Sequence, residues 1–427
     1  MGITVTENQG NFDFIIAGGG AAGLSLAHHL IDSPLRERSI LIVERNLQEH
    51  NNRTWGFWTN RPTLFDRIVF RTWDRLRVTC PEFSRTYELG DYRYHMIRSL
   101  DLRRFSLQEL PARGNVAFLQ GRVEAIHDQG DRVQVIVDGQ AISGRWAFDS
   151  RFRPVDVTAQ ATPCHTLWMH FTGWEIETDA AAFDPQTPTF MDFRAPQRAG
   201  LGFFYLLPLE VRQALAVYTL IGGARPGASA GEAALTAYLE STLGVGTHKI
   251  LRKESGALPL TDRPFPRRLG KRVMAIGLKG GRLKPTTGYA FLRIQHDSAA
   301  IVRSLLQAGR PFDIPPDSPR YRWYDALLLE ALEKHGAGVL PVFSALFKGN
   351  PIQRVLRFLD EAGSPWENLL LIASLPPGQF LQALLSSRSS ARRSFNAQSI
   401  RARIDKRRAQ DQERAHHLPT RKPGLSR

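Results

Sequence analysis

The sequence predicts an α/β (α+β) protein: a Rossmann-like dinucleotide-binding domain, an antiparallel-sheet domain inserted into it, and a C-terminal helical region. Three observations carry that prediction. The apolar stretch Phe12–Ala17 runs into Gly18, Gly20 and Gly23 and then into an Ala- and Leu-rich helix over Ala21–Ile31. Residues Cys164–Asp262 contain strand-like runs of aromatic and aliphatic residues joined by polar or Pro/Gly turns. From Tyr321 onward the pattern changes to short helices rich in Leu, Phe and Trp. A chain of 427 residues has room for two or three such domains.

The spacing Gly18-x-Gly20-x-x-Gly23 fits a dinucleotide-binding turn. Gly18 permits the tight turn, Gly20 lets a pyrophosphate approach the backbone, and Gly23 lets helix and strand pack closely. The phosphates are expected at the helix N-terminus, where unpaired N–H groups and the dipole favour an anion. A second strand, Ser39–Glu44, ends in an acid placed about twenty residues past the glycines, as a ribose-binding acid should be. Arg45 follows it. The loop Asn51–Trp58 then packs Arg53 and three aromatics into eight residues, a composition that suits either a ligand wall or a core loop.

Short strands are expected at Ile68–Phe70, Leu76–Thr79 and Arg85–Leu89. Gly90–Phe105 reads as a strand and then a helix from Ser99, whose side chain is expected to cap the first turn. Arg98, just before that helix, is a candidate phosphate ligand. Val116–Ala147 reads as a small meander with an Asp138-Gly139 hairpin turn.

In Cys164–Asp262 the strands Trp168–Trp174, Thr189–Arg194, Gly202–Leu209 and Ala214–Ile221 are apolar on both faces, so both faces of their sheet should be covered. A helix over Ala230–Leu243 and a strand over Ile250–Ser255 follow. Arg272–Gly277 is a strand ending in glycine, Lys279–Tyr289 a loop containing Gly280, Gly281, Thr287 and Gly288, and Ala290–Ala308 a helix. This second strand–loop–helix unit is expected to return to the first domain and complete the cofactor site. Helices are expected at Trp323–His335, Val342–Phe347, Ile352–Asp360, Trp366–Ala373 and Gln379–Leu385. The domain boundaries that follow are 11–163 with 263–308 for the discontinuous dinucleotide-binding domain, 164–262 for the antiparallel sheet, and 309–387 for the helical region.

Residues 388–427 form a basic tail with twelve Lys/Arg against three Asp/Glu, which holds most of the chain's net charge of +15. Its composition points to a disordered segment or a loose helix that suits an anionic surface or solvent. No nucleic-acid-binding motif accompanies it, so no nucleic-acid partner is expected. The two cysteines, Cys80 and Cys164, show neither metal-ligand nor disulfide spacing, which fits a reducing compartment and no metal site. Met1–Gln9 has no signal-peptide pattern, and no apolar run approaches the roughly twenty residues of a membrane span.

Several longer stretches carry a specific resemblance. Asp13–Leu26, Arg53–Trp58, Tyr94–Ser99, Phe171–Glu177, Phe190–Arg194, Phe204–Leu209, Gly256–Asp262, Gly280–Phe291 and Arg354–Asp360 together resemble the bacterial lycopene cyclase family. The likeness extends from Phe12 to about Leu385. It implies an FAD-binding fold of the p-hydroxybenzoate-hydroxylase type, with Gly18, Gly20, Gly23, Glu44, Arg45, Arg53, Arg98, Gly277, Gly280, Gly281, Thr287 and Gly288 around the cofactor. It also implies lycopene as substrate, reduced FAD as the active form with NAD(P)H as a candidate electron source, and a cytoplasmic protein resting on the inner membrane face. The reaction implied is a redox-neutral isomerisation in which an acid protonates a terminal double bond, the cation cyclises, and a ring proton leaves.

The chain departs from the family where that acid is expected. In the stretch resembling Ala-Leu-Val-Glu-Tyr-Thr-Leu it has Ala214-Leu-Ala-Val217-Tyr-Thr-Leu220. Valine can neither donate a proton nor steady a cation by charge. Three readings stay open: another carboxyl serves, with Asp192 ahead of Glu210 and Glu175; the enzyme performs different flavin chemistry, such as oxidation or reduction, on a polyene or terpenoid; or it binds a carotenoid or FAD without catalysis.

Overall fold

A computed structural model describes residues 11–376 apart from 49–50, 159–163, 198 and 224–227. The expected tail and the helix at Gln379–Leu385 lie outside the described residues. The chain opens with β1 (Asn11–Ala17), α1 (Ala21–Ile31) and β2 (Ile40–Glu44). Next come β3 (Thr54–Thr59), β4 (Arg71–Trp73), β5 (Arg75–Cys80), β6 (Phe83–Glu88), β7 (Arg93–Arg98) and α2 (Ser99–Glu109). A meander follows, made of β8 (Val116–Gln120), β9 (Val123–Asp128), β10 (Val133–Val137) and β11 (Gln140–Asp149), then the short α3 (Val155–Thr158). The second sheet's strands are β12 (Thr166–Thr178), β13 (Thr189–Asp192), β14 (Leu201–Pro208), β15 (Gln213–Gly222) and, after α4 (Ala228–Ala237), β16 (His248–Thr261). The described chain closes with β17 (Val273–Ala275), α5 (Phe291–Ala308), α6 (Pro319–His335), α7 (Leu340–Lys348), α8 (Ile352–Leu359) and α9 (Pro365–Ala373).

The first sheet runs β8-β2-β1-β11-β10-β9, with β17 also on β11. Its β8, β2, β1, β11 and β17 are parallel, and β10 and β9 turn back antiparallel through the Asp138-Gly139 corner, where both residues have positive φ. The period of two sorts β1 between two cores. Phe14 and Ile16 pack with Leu26 and Leu30 of α1 and with Ile301 and Leu305 of α5, while Ile15 packs with Val133 and Val135 of the meander. Burying strands on both faces is what makes them read as continuous apolar runs.

The second sheet runs β16-β12-β15-β14-β13-β5-β6 and is antiparallel except where β13 meets β5. Both faces are covered, as the sequence implies. Along β15, Leu215 and Val217 join the core shared with Leu329, Phe343 and Phe347 of the C-terminal helices, while Ala216, Tyr218 and Leu220 join a core with Leu235 and Leu239. A small third sheet, β3-β7-β4, stands beside these two.

Several local expectations are revised. The hairpin β5–β6, read from sequence with the first domain, extends the second sheet, because its buried face (Leu76, Val78) is completed by β13 and the helices. The helix expected over Ala230–Leu243 stops at Ala237 and continues as a π-helical turn, Tyr238–Thr242. The strand expected at Ile250–Ser255 runs on to Thr261. Arg98, not Ser99, stands at the N-cap of α2, and the Ser99 hydroxyl accepts N–H bonds from Asn52 and Arg53. No described helix is long and apolar enough to cross a membrane.

Candidate active site

The glycine turn lies at the C-terminal end of the parallel strands, where ligands of such sheets bind. Gly18 has φ +107°, and a side chain there would run into Ser150, whose hydroxyl is bonded to Ala17 O at 2.9 Å. Gly20 is the N-cap of α1 and makes no side-chain cap bond, so the first-turn N–H groups have no intrahelical partner, and among the described residues no atom lies within 4 Å of where a side chain on Gly20 would begin. Glu44 accepts the N–H of Gly19 at 2.8 Å and that of Asn46 at 3.2 Å. The acid at the end of β2 is therefore held against the glycine turn.

A cavity of about 800 Å³ starts at this turn. One part of its wall is polar and basic, with Gly19, Gly20, Glu44, Arg45, Arg53 and Arg103. The other part comes from the second sheet and the loop before α5, and includes Phe171, Tyr205, Leu215, Val217, Leu258 and Tyr289. Tyr205 and Tyr289 face each other with hydroxyls 3.1 Å apart, and Trp58 meets Tyr289 edge-on at 4.8 Å. Burial pushes the Tyr205 phenol up to about 12 and holds Tyr289 well above its ordinary range, so both stay neutral.

The expected cofactor residues divide by position. Gly20, Glu44, Arg45 and Arg53 line the cavity, and from the second glycine loop Thr287 and Gly288 do so. Among the described residues the buried Thr287 hydroxyl has no hydrogen-bond partner, and a ligand in the cavity can satisfy it. Gly18 and Gly23 shape the turn from behind. Gly277 packs on Ala22 of α1, Gly280 on Ala275 and Gly281 on Phe265, so these three set the path of the loop outside the cavity wall. Arg98 is withdrawn. Its guanidinium binds Asp101 at 2.6 and 3.0 Å and lies 3.6 Å over the Phe70 ring, away from the lining.

None of the three carboxyls considered in place of Val217 reaches the cavity. Asp192 is buried on the sheet's other side, where it accepts from the Arg194 backbone N–H (3.1 Å), the Arg194 guanidinium (2.9 and 2.6 Å) and the Tyr238 hydroxyl (3.1 Å). Those bonds use its acceptor sites and leave it a structural anchor. Glu210 is exposed in the β14–β15 turn and paired with Arg71. Glu175 is bound to Arg252 at 2.9 Å behind the wall. Among the described residues, two carboxylates line the cavity: Glu44 at the glycine turn and Glu254 of β16. Sequence reasoning passed over Glu254, which alternation alone would have placed beside Arg252 on one face of a strand leading into Gly256-Ala-Leu-Pro-Leu260.

The backbone architecture is that of flavin-dependent proteins. A geranylgeranyl bacteriochlorophyll reductase-like protein from Thermoplasma acidophilum aligns with a TM-score of 0.57 at 11% identity, over 87% of this chain and 98% of its own. A flavin-dependent brominase aligns with a TM-score of 0.57 at 15% identity, over 89% of this chain and 100% of its own. Among sequences, lycopene beta cyclase of Capsicum annuum is 23% identical over 69% of this chain, and that of Arabidopsis thaliana 25% identical over 66%. The chain spans 60% and 57% of the length of these two curated relatives. The family described as lycopene cyclase protein matches residues 13–385, a stretch that takes in the glycine turn, both large sheets and the C-terminal helices. A dinucleotide cradle opening into an aromatic cavity thus has its counterpart in descent: the chain belongs to the lycopene cyclase family.

Proposed function

We propose that the chain is a flavin-dependent carotenoid cyclase that closes β-ionone rings at the ψ ends of lycopene or a related polyene, with no net redox change. The observation that carries this reading is a cavity whose wall is a dinucleotide cradle in one part and apolar and aromatic in the other. The residues present fit FAD: the free N–H groups at the start of α1 for the pyrophosphate, Glu44 for a ribose hydroxyl, Arg45 and Arg53 for charge, and the unpartnered Thr287 hydroxyl. Reduced FAD, when bound, supplies an electron-rich ring that steadies a nearby cation. NAD(P)H is the candidate source of its electrons.

The apolar part of the wall does the rest. It binds the polyene end and excludes water that would quench a carbocation. The aromatic rings of Phe171, Tyr205 and Tyr289 on the wall suit a cation, and the neutral phenols add no base that would trap it. So apolar a substrate is drawn from a bilayer. Trp366 and Leu369 of α9, 65% and 54% exposed, support a peripheral position on the cytoplasmic membrane face.

Val217 favours a second reading, a flavin oxidoreductase or carotenoid-binding relative that has given up ring closure. Expression in a lycopene-accumulating host separates the two. A cyclase converts red lycopene to a ring-bearing isomer of the same mass. An oxidoreductase yields a product of changed mass, and a binding protein retains lycopene unchanged.

A further inference from the structure

We propose that Glu254 is the proton-carrying carboxyl of this cavity, standing in from two strands away for the acid absent at Val217. The inference rests on the cyclase reading above. Its geometry is set by register: Val217 of β15 and Glu254 of β16 both pair with Gly173 of the intervening β12. Two strand spacings separate their backbones by about 10 Å. The gap is open because residue 173 has no side chain. A Cβ built there would lie 2.9 Å from Glu254 Cγ, 3.1 Å from Val217 Cγ2 and 3.4 Å from Glu254 Oε1. The glutamate therefore leans across the glycine toward the valine and brings its carboxyl to the patch of wall where a glutamate at 217 would place its own.

The carboxyl's partners leave one oxygen available. Oε2 accepts from Arg252 at 2.6 Å and from the Thr54 hydroxyl at 2.9 Å, while Oε1 accepts no hydrogen bond among the described residues. Arg252 also binds Glu175 at 2.9 Å. Arg252 stays charged despite its burial, held so by Glu254 and Glu175. One guanidinium faces two carboxylates in a largely buried trio, with Glu254 and Arg252 side chains 4% and 13% exposed. Glu254 is the member of this trio that lies on the cavity wall.

The chemistry balances on that proton. The carboxyl O–H bond breaks as a C–H bond forms at the terminal alkene, leaving a tertiary cation. The neighbouring double bond attacks it, forming the ring C–C bond and moving the positive charge into the ring. Loss of a ring C–H proton to the carboxylate restores the O–H group and gives a product isomeric with the substrate. No electrons are gained or lost.

The test uses the full chain with FAD, in a lycopene-accumulating host and after purification. Glu254→Gln keeps size and polar contacts but cannot carry the proton. Ring formation should fall by about 100-fold or more, while flavin absorbance and the amount of flavin retained stay at the parent level. Adding Val217→Glu to Glu254→Gln should restore ring formation, because a carboxyl returns to the same patch. A structural clamp on Arg252 and Thr54 would not be replaced by an acid on another strand. Undiminished ring formation by Glu254→Gln, or failure of the double variant to recover it with flavin bound, overturns the assignment. A parent chain that forms no ring overturns the cyclase reading itself, and this assignment with it.

Discussion

At the scale of single residues, the glycine turn places Glu44 so that it holds Gly19 and borders the cavity. Replacing it with alanine removes a charged acceptor, and FAD affinity should fall by about 10–100-fold, a loss of about 1.5–3 kcal/mol readable by flavin fluorescence titration. His28 gives a pH signature of the same domain. It sits in α1 with Nε2 2.9 Å from the Ser106 hydroxyl and stacks on Phe105, and burial, aided by neighbouring His29, lowers its pKa to about 4. The unfolded imidazole takes a proton below about 6.5 and the folded one only near 4, so the neutral form's stabilisation is complete above 6.5 and is lost as pH falls across that window. The loss amounts to about 3 kcal/mol at most. Denaturant unfolding at pH 7 and pH 5 should show it, and His28→Gln should flatten it. Undiminished pH dependence in that variant would assign the effect to other groups.

At the scale of elements, much was legible and the rest failed for identifiable reasons. The β1–turn–α1–β2 unit was readable because turn chemistry and periodicity agree within thirty-odd residues, about the span of such a unit. The helices α6 to α9 were readable from their apolar spacing. The β5–β6 hairpin falls within the expected segment 11–163 yet joins the second sheet, because its strand signal is local, while its partner β13 lies a hundred residues on and is chosen by packing. Asp192 looked catalytic as an acid among aromatics, yet strand alternation puts it opposite the cavity, beside Tyr238 and Arg194. Alternation places Glu254 beside Arg252, but not near Val217, because Gly173, the residue that makes room for it, is about eighty positions earlier and joins it only through sheet register. The element that most invites a test is α9. Changing Trp366 and Leu369 together to serine should reduce co-sedimentation with lipid vesicles several-fold while leaving flavin content unchanged, since neither residue borders the cavity. Equal sedimentation of parent and variant would move the membrane contact elsewhere.

At the scale of the whole molecule, two sheets of different construction meet around one volume. The parallel sheet contributes strand ends and a helix N-terminus, which suit phosphate and ribose; the antiparallel sheet contributes a wide wall of alternating side chains, which suits a long apolar ligand. The loop before α5 brings Thr287, Gly288 and Tyr289 to both parts of the wall. The proposed redox-neutral ring closure makes a stoichiometric demand on this joint construction: flavin should be needed but not consumed. The most direct measurement is an anaerobic reaction of the purified chain with FAD, one round of chemical reduction and lycopene in vesicles, following flavin absorbance and product mass together. A redox-neutral cyclase yields many ring-closed molecules of unchanged mass per flavin, with the flavin still reduced at the end. Reoxidation of one flavin for each product, with a change in product mass, would contradict it.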